Sequence, residues 1–298
     1  MAELTIAAVA AHFNRDVGFA LHRIDAICAD ARERGAGLVV LPDAAIGGYL
    51  SRFRSADSHP DGVDDDVAPP AIDLDGPEIA AVRTAAADLV VCLGVCEREG
   101  ARRYNAALCL TGDGILGRHR KVHLPPADSA VYAPGDRFVA FDTPIGRLGL
   151  LVDHDKTFPE GARALAVAGA EVIACLSAWP ASITDRAARL DHDRQTRLFN
   201  LYDQARAAEN QVVWVSANQT GRFGRLRFLG HAKVVGPGGQ VLASTGTKPG
   251  IATTALDVAA ELARARRSLH HLAERRPDTY GAAATADGVA ATADGATP

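Results

Sequence analysis

No apolar run in this chain approaches the ~20 residues that a helix needs to cross a bilayer. Nor does it open on a basic segment followed by an apolar core, as a secretion signal does. These absences predict a soluble, cytoplasmic protein with no membrane partner. An excess of one charge is missing too. The formal net charge is −4 over 298 residues, which gives neither nucleic acid nor an anionic membrane an electrostatic reason to bind. Cysteine is sparse and its spacing unpaired. Cys28, Cys92, Cys96, Cys109 and Cys175 are an odd number set among apolar neighbours, without zinc-site spacing or the pattern of a secreted disulfide scaffold. They are expected to be buried, reduced thiols.

What the chain does have is apolar residues, 48% of the total, enough for a packed core in one large domain or two small ones. Short apolar runs alternate with helical stretches, which predicts a layered α/β architecture. Strands are expected at Leu4 to Ala11, Leu38 to Leu41, Leu89 to Val95, Asn105 to Leu110, Phe138 to Phe141, Leu148 to Val152, Val172 to Leu176 and Val212 to Ala217. Helices are expected around Phe19, Ile24, Ile27 and Ala31, over Pro77 to Ala87 and Pro159 to Ala168, and from about Arg186 to Asn210. In the last, Leu190, Leu198, Leu201, Ala205 and Ala208 fall close to one face. Gly236-Pro-Gly-Gly239 lies between two strand-like pairs and reads as a hairpin turn; no helix start follows it to make a phosphate cradle. Ser51 to Pro70, with acidic residues Asp64 to Asp66, reads as a solvated surface loop able to cover a site. Residues 1–280 are expected to form one domain. Gly281 to Pro298 is Ala/Thr/Asp/Gly repetition, expected to be a disordered tail.

Asp43 and Asp153 each follow an apolar strand. In α/β sheets ligands collect in the crevice beyond the carboxyl ends of strands, so two such aspartates can converge there. Taken singly, an Asp after a strand is a turn former or helix cap, which would account for Asp43 and Asp155. A lone Lys is solvated, and His123 and His154 read as packing residues.

Their contexts carry more. Leu41-Pro42-Asp43, Arg120-Lys121-Val122-His123-Leu124, Asp128 seven residues before Gly135 of Tyr132-Ala-Pro-Gly135, and Gly146 to Glu160 ending in Phe158-Pro159-Glu160 follow one another in order. So do Ser177-Ala-Trp179, Glu209-Asn210, Asn218 to Gly221, Gly236 to Gly239 and Arg275 to Tyr280. The ordered set covers nearly the whole chain and resembles the nitrilase superfamily, the carbon–nitrogen hydrolases that use a Glu-Lys-Cys triad. The resemblance implies a four-layer α-β-β-α sandwich and one pocket lined by Asp43, Lys121, Asp128 and Asp153. It also implies a wall that includes Tyr49, His154, Ser177 and Trp179, a small-molecule substrate, no cofactor, and association into a homodimer or higher homo-oligomer.

The departure from that family lies in the chemistry. Where the resemblance puts a cysteine, this chain has Asp153; where it puts two glutamates, the chain has Asp43 and Asp128. A thiolate is a strong nucleophile whose thioester is readily hydrolysed. A carboxylate is a poor nucleophile toward unactivated amides and would form a mixed anhydride. Three carboxylates around one lysine leave excess negative charge, which in a dry pocket requires a shared proton, a raised pKa or a bound cation. Oxygen ligands suit Mg²⁺, Mn²⁺ or Ca²⁺, although the resemblance implies no metal. The leading expectation is an enzyme acting on a C–N bond by non-cysteine chemistry, with Asp153 as carboxylate nucleophile or water-activating base. The alternatives are a catalytically silent pseudoenzyme that binds a small ligand or partner protein, and a structural subunit paired with an active homologue.

Overall fold

The computed structural model describes residues 3–50 and 68–280. Most of the Ser51 to Pro70 loop and all of the Gly281 to Pro298 tail lie outside the described residues.

The first half of the chain contributes β1 (Leu4–Ala11), α1 (Val17–Glu33), β2 (Leu38–Val40), α2 (Pro77–Ala86), β3 (Val90–Glu99), β4 (Arg102–Leu110), β5 (Ile115–Arg120) and the single turn α3 (Pro126–Ser129). The second contributes β6 (Ala140–Thr143), β7 (Gly146–Val152), α4 (Pro159–Val167), β8 (Val172–Ser177), α5 (Arg194–Asn210) and β9 (Val213–Gln219). There follow a small hairpin of β10 (Arg222–Phe223) and β11 (Leu226–Arg227), then β12 (Lys233–Val235), β13 (Val241–Ser244), β14 (Gly250–Leu256) and α6 (Val258–Ala265).

The strands run in the order β5-β4-β3-β2-β1-β9-β8-β7-β6, with β14 antiparallel to β1 and β12-β13 added beside β9. The halves join where Ala10 and Ala11 pair with Asn218 and Gln219. Alternation along β1 then defines the layers. Ile6, Ala8 and Ala10 face inward, into a core shared with Leu148, Leu150, Val152, Ala174 and Val215 of the other half. Ala7, Val9 and Ala11 face outward, onto Ala20, Ile24, Cys28 and Ala31 of α1 and Ile79 and Val82 of α2. On the opposite side Leu151, Ile173 and Trp214 pack under Ala162 and Leu165 of α4 and Ala207 of α5. Helix, sheet, sheet and helix are thus stacked as a nitrilase-type sandwich whose mixed sheet nearly closes on itself. Gly236–Gly239 turns β12 into β13, with Gly236 N–H donating to Gln240 O at 2.8 Å.

Three sequence expectations are corrected. The long helix begins at Arg194, not near Arg186, because the Asp193 carboxylate caps it, accepting from Gln195 N at 2.9 Å and from Ser182 N at 3.1 Å. Its buried face is Thr196, Phe199, Asp203, Arg206, Ala207 and Asn210, whereas Leu201 is 59% exposed. The helix turns a carboxylate inward because two buried ammonium groups meet it there. In α1, Ala20 takes the buried place expected for Phe19. Among the described residues no helix is long and apolar enough to cross a membrane.

Candidate active site

Three strand ends and one turn bring the predicted quartet together. Asp43 follows β2, its N–H donating to Ser177 O at 3.3 Å and its carbonyl accepting from Gln219 Nε2 at 2.9 Å. β3 approaches so closely that a Cβ on Gly94 would lie 2.5 Å from Asp43 Cα, so only glycine fits there. Lys121 leaves β5 with its N–H on Asn105 O at 2.8 Å and its carbonyl accepting from Gly135 N at 2.8 Å. Asp128 sits in α3. Asp153 follows β7 with φ +48°, a left-handed conformation that costs a non-glycine residue energy and is held only by its surroundings.

The Lys121 ammonium donates to Asp128 Oδ2 at 2.5 Å and to Asp153 Oδ2 at 3.3 Å. Tyr49 OH donates to Asp128 Oδ1 at 2.5 Å, and Asn105 Nδ2 to Asp43 Oδ2 at 3.1 Å. Asp43, Lys121 and Asp128 are fully buried and Asp153 nearly so. Among the described residues, the remaining oxygens, Asp43 Oδ1 and Asp153 Oδ1, are buried with no hydrogen-bond partner. Such atoms are costly unless a ligand or water meets them.

The charge imbalance expected from the sequence appears as a shared-proton problem. Burial pushes the Asp43 carboxyl up to about 7; Lys121 opposes this, Asp153 and Asp128 reinforce it, and Asn105 opposes it more weakly. Burial alone would lower the Lys121 pKa, but Asp128, Asp153 and Asp43 outweigh it and hold the ammonium above the ordinary lysine value. Burial, followed by the neighbouring carboxylates, keeps the Tyr49 phenol well above its usual value, so Tyr49 remains a donor. Among the described residues no group of three or more His, Cys, Asp or Glu side chains is arranged to hold a metal ion.

Two buried anchors fix the turn after Asp153. Asp155 accepts from His119 Nε2 at 2.8 Å, His123 Nδ1 at 2.9 Å, His123 N at 2.9 Å and Val122 N at 3.2 Å. It thereby ties the Lys121 segment to the Asp153 turn. Burial works against its ionisation, but the two histidine bonds prevail and hold its pKa well below the usual carboxylate range. On the other side Lys156 Nζ donates to Asp203 Oδ1 at 2.8 Å, Lys233 Nζ to Asp203 Oδ2 at 2.6 Å, and Trp214 Nε1 to Asp203 Oδ1 at 3.0 Å. The Phe199 ring lies 3.2 Å from Lys156 Nζ and 4.1 Å from Lys233 Nζ.

Of the expected wall residues, Tyr49 touches the quartet directly. His154 is half-buried beside Asp153, with Nδ1 3.3 Å from Thr157 Oγ1; burial lowers its pKa against the pull of Asp153. Ser177 is buried, with its hydroxyl 3.9 Å from Cys175 Sγ. The Trp179 indole turns toward α5, donating to Gln195 Oε1 at 3.0 Å and packing on Phe199. Asn105, His119, Lys156, Asp203 and Lys233 were not singled out from the sequence. Asn105 and Lys233 sit beside apolar strand residues, His119 between two arginines, Lys156 in a polar turn and Asp203 on a helix, and in each place only a tertiary partner explains the residue's burial. All five cysteines are buried free thiols.

Comparison with known proteins gives a consistent picture. Residues 5–265 match the family model for carbon-nitrogen hydrolase. An (R)-stereoselective amidase of Pseudomonas is 34% identical over 190 residues, 63% of this chain; the chain spans just under two thirds of that relative's length, 65%. A nitrilase of Pyrococcus abyssi is 30% identical over 217 residues, covering 72% of this chain and 73% of the relative. Among solved structures, a variant of the amidase from Nesterenkonia sp. AN1 superposes with a TM-score of 0.73 at 26% identity, covering 93% of this chain and 95% of that one. That variant is described as carrying a covalent acetamide adduct at its active-site cysteine.

Proposed function

This chain belongs to the carbon-nitrogen hydrolase family, and from that premise we propose that it hydrolyses a C–N bond of a small molecule without a cysteine, using Asp153 in the nucleophile's place. The observation that carries the reading is a pair of buried oxygens with no hydrogen-bond partner among the described residues, Asp43 Oδ1 and Asp153 Oδ1, on two carboxyls whose charges both act on Lys121. Asp153 Oδ1 takes a proton from water as the water oxygen adds to the acyl carbon of an amide. Lys121 has three N–H groups; two face Asp128 and Asp153, which leaves the third for the developing oxyanion. Asp43 in its acid form protonates the departing nitrogen, the C–N bond breaks, and amine and carboxylic acid are released. The proton on Asp153 then returns the pair to its starting state through Asp43. Asp128, held by Tyr49, positions the ammonium. The amidase relatives support an amide as the bond attacked.

Direct attack by water is preferred over attack by Asp153 itself because an unactivated amide resists a carboxylate nucleophile. Buried free thiols accord with a cytoplasmic setting, and association into a homodimer or larger homo-oligomer is part of the same reading. The test is turnover of a panel of small amides, nitriles and carbamoyl compounds by pure protein. Product is expected from the native chain and is expected to vanish in Lys121→Ala and Asp153→Asn. With ¹⁸O water in a single turnover, label is expected in the product acid and absent from Asp153. No product from any substrate, or rates unchanged in both variants, would leave ligand binding without catalysis as the function.

A further inference from the structure

The β10–β11 hairpin has two faces of opposite character. Across its antiparallel ladder Phe223 pairs with Leu226, and Arg222 with Arg227. Leu226 and Phe228 are buried with Ala44, Tyr49 and Ala127, and Phe223 packs on the same cluster, so the apolar side roofs the residues flanking Asp43 and Asp128. Alternation turns the two arginines the other way. There they line a cleft of about 540 Å³ with His12, Arg23, Thr220 and Phe228. The Phe228 ring stands between this cleft and the candidate site, 6.4 Å edge-on from Tyr49.

Two guanidinium groups directly opposite one another on a ladder repel. Among the described residues no carboxylate pairs with Arg23, Arg222 or Arg227, and Arg23 Nε is buried without a hydrogen-bond partner. The Arg23 guanidinium is held over the rings of Phe13 and Phe19 at 5.9 and 5.8 Å. Asp191 follows cleft-lining Leu190, but it lies 3.5 Å from His231 and 3.8 Å from Arg189. The cleft therefore concentrates positive charge that the described residues do not balance.

We propose that this cleft binds a small molecule through an oxyanion, a carboxylate or phosphate group, gripped by Arg222 and Arg227 with Arg23 and His12 behind it. Guanidinium forks match both oxyanions in bidentate fashion. Such a ligand relieves the Arg222–Arg227 repulsion and fixes the hairpin whose other face roofs the candidate site. The proposal concerns binding alone and holds whether or not Asp153 is catalytic.

The experiment is calorimetric titration of the full chain with inorganic phosphate and, separately, with succinate, at ionic strength held constant with sodium chloride. Saturable binding of at least one anion is expected, and the tighter of the two identifies the headgroup. The double variant Arg222→Ala/Arg227→Ala is expected to weaken it by about tenfold or more, while Arg137→Ala at the β5 edge leaves it unchanged. Should the double variant unfold early, Arg23→Gln on α1 supplies the same reading. Heats that never saturate for either anion, or affinity unchanged in both cleft variants, would overturn the proposal.

Discussion

The Lys121 ammonium touches one oxygen of Asp153 at 3.3 Å and leaves the other buried with no partner among the described residues. A carboxylate kept only for structure satisfies both oxygens, as Asp155 and Asp203 do in the same fold. Asp153 instead combines a left-handed backbone with an unmet acceptor. Both features cost stability, and the reaction proposed at Asp153 uses both.

Asp43 sets the expected pH dependence. Its carboxyl is pushed up to about 7 first by burial; in the proposed mechanism its acid form donates the proton, so turnover is expected to fall as pH rises through about 7. Stability follows the same group with a definite sign. The folded chain binds the proton more tightly than the unfolded one, so stability is lost as pH climbs from about 4 through the folded value. In Asp43→Asn the slope of stability between those limits is expected to flatten and that limb of the rate profile to disappear. Carboxyl NMR across the same range reads the titration directly.

Restoring sulfur tests the pocket itself. Asp153→Cys with Asp43→Glu and Asp128→Glu gives the thiol, base and second glutamate that the family resemblance implies. Amidase activity through a trappable acyl-enzyme is expected, detected as a mass increase on the new cysteine with a small amide. A triple variant that folds and binds but never acylates would show that the backbone around residue 153 no longer suits the family's geometry.

Asp203 makes the sharpest stability test. It lies between the Lys156 and Lys233 ammonium groups, fully buried against Phe199 and Trp214. Asp203→Asn strands both charges and is expected to cost about 3–5 kcal/mol in denaturant unfolding. Replacing all three by apolar residues, Lys156→Met with Asp203→Leu and Lys233→Met, removes the charges together and is expected to be neutral or stabilising. Burial, with Lys156 adding to it against the pull of Asp203, lowers Lys233 to about 8. Between that value and the ordinary lysine range the unfolded chain holds a proton that the folded chain releases, so native stability is expected to rise with pH there. The apolar triple variant is expected to lack that rise.

Much of this was legible in the sequence, for physical reasons. β1 and β7 read clearly because a strand buried on both faces is a continuous apolar run, and the quartet Asp43, Lys121, Asp128 and Asp153 could be placed by the order of its motifs. β5 carries His119 and two arginines, Arg118 and Arg120, paired with Glu97 of β3; no apolar pattern marks an edge strand of that kind. β14 mixes buried and exposed positions and follows a polar turn, so its pairing with β1 had no local signal. In α5 the buried face is built around Asp203, and hydrophobic spacing therefore selected the wrong stripe. The partners that bury a charge come from three separate segments here, and their meeting is a property of the fold alone.

Asp155 shows how far the site depends on such meetings. As a lone aspartate after a strand it reads as a turn former, and its contact with Val152 N at 3.5 Å fits that role. Its bonds to His119 and His123 do more, because they lock the segment that delivers Lys121 to the turn that delivers Asp153. Asp155→Asn keeps the shape but removes the charge that both histidines and three backbone N–H groups face. A loss of about 3 kcal/mol is expected in denaturant unfolding. The native carboxylate's contribution is present above about pH 4 and is lost as acid protonates it toward its depressed folded value, so the native protein is expected to lose stability on acidification more steeply than Asp155→Asn. If the brace also sets the Lys121–Asp153 distance, turnover in Asp155→Asn falls while substrate affinity holds. Unchanged kcat in a folded variant would limit Asp155 to stabilising the turn.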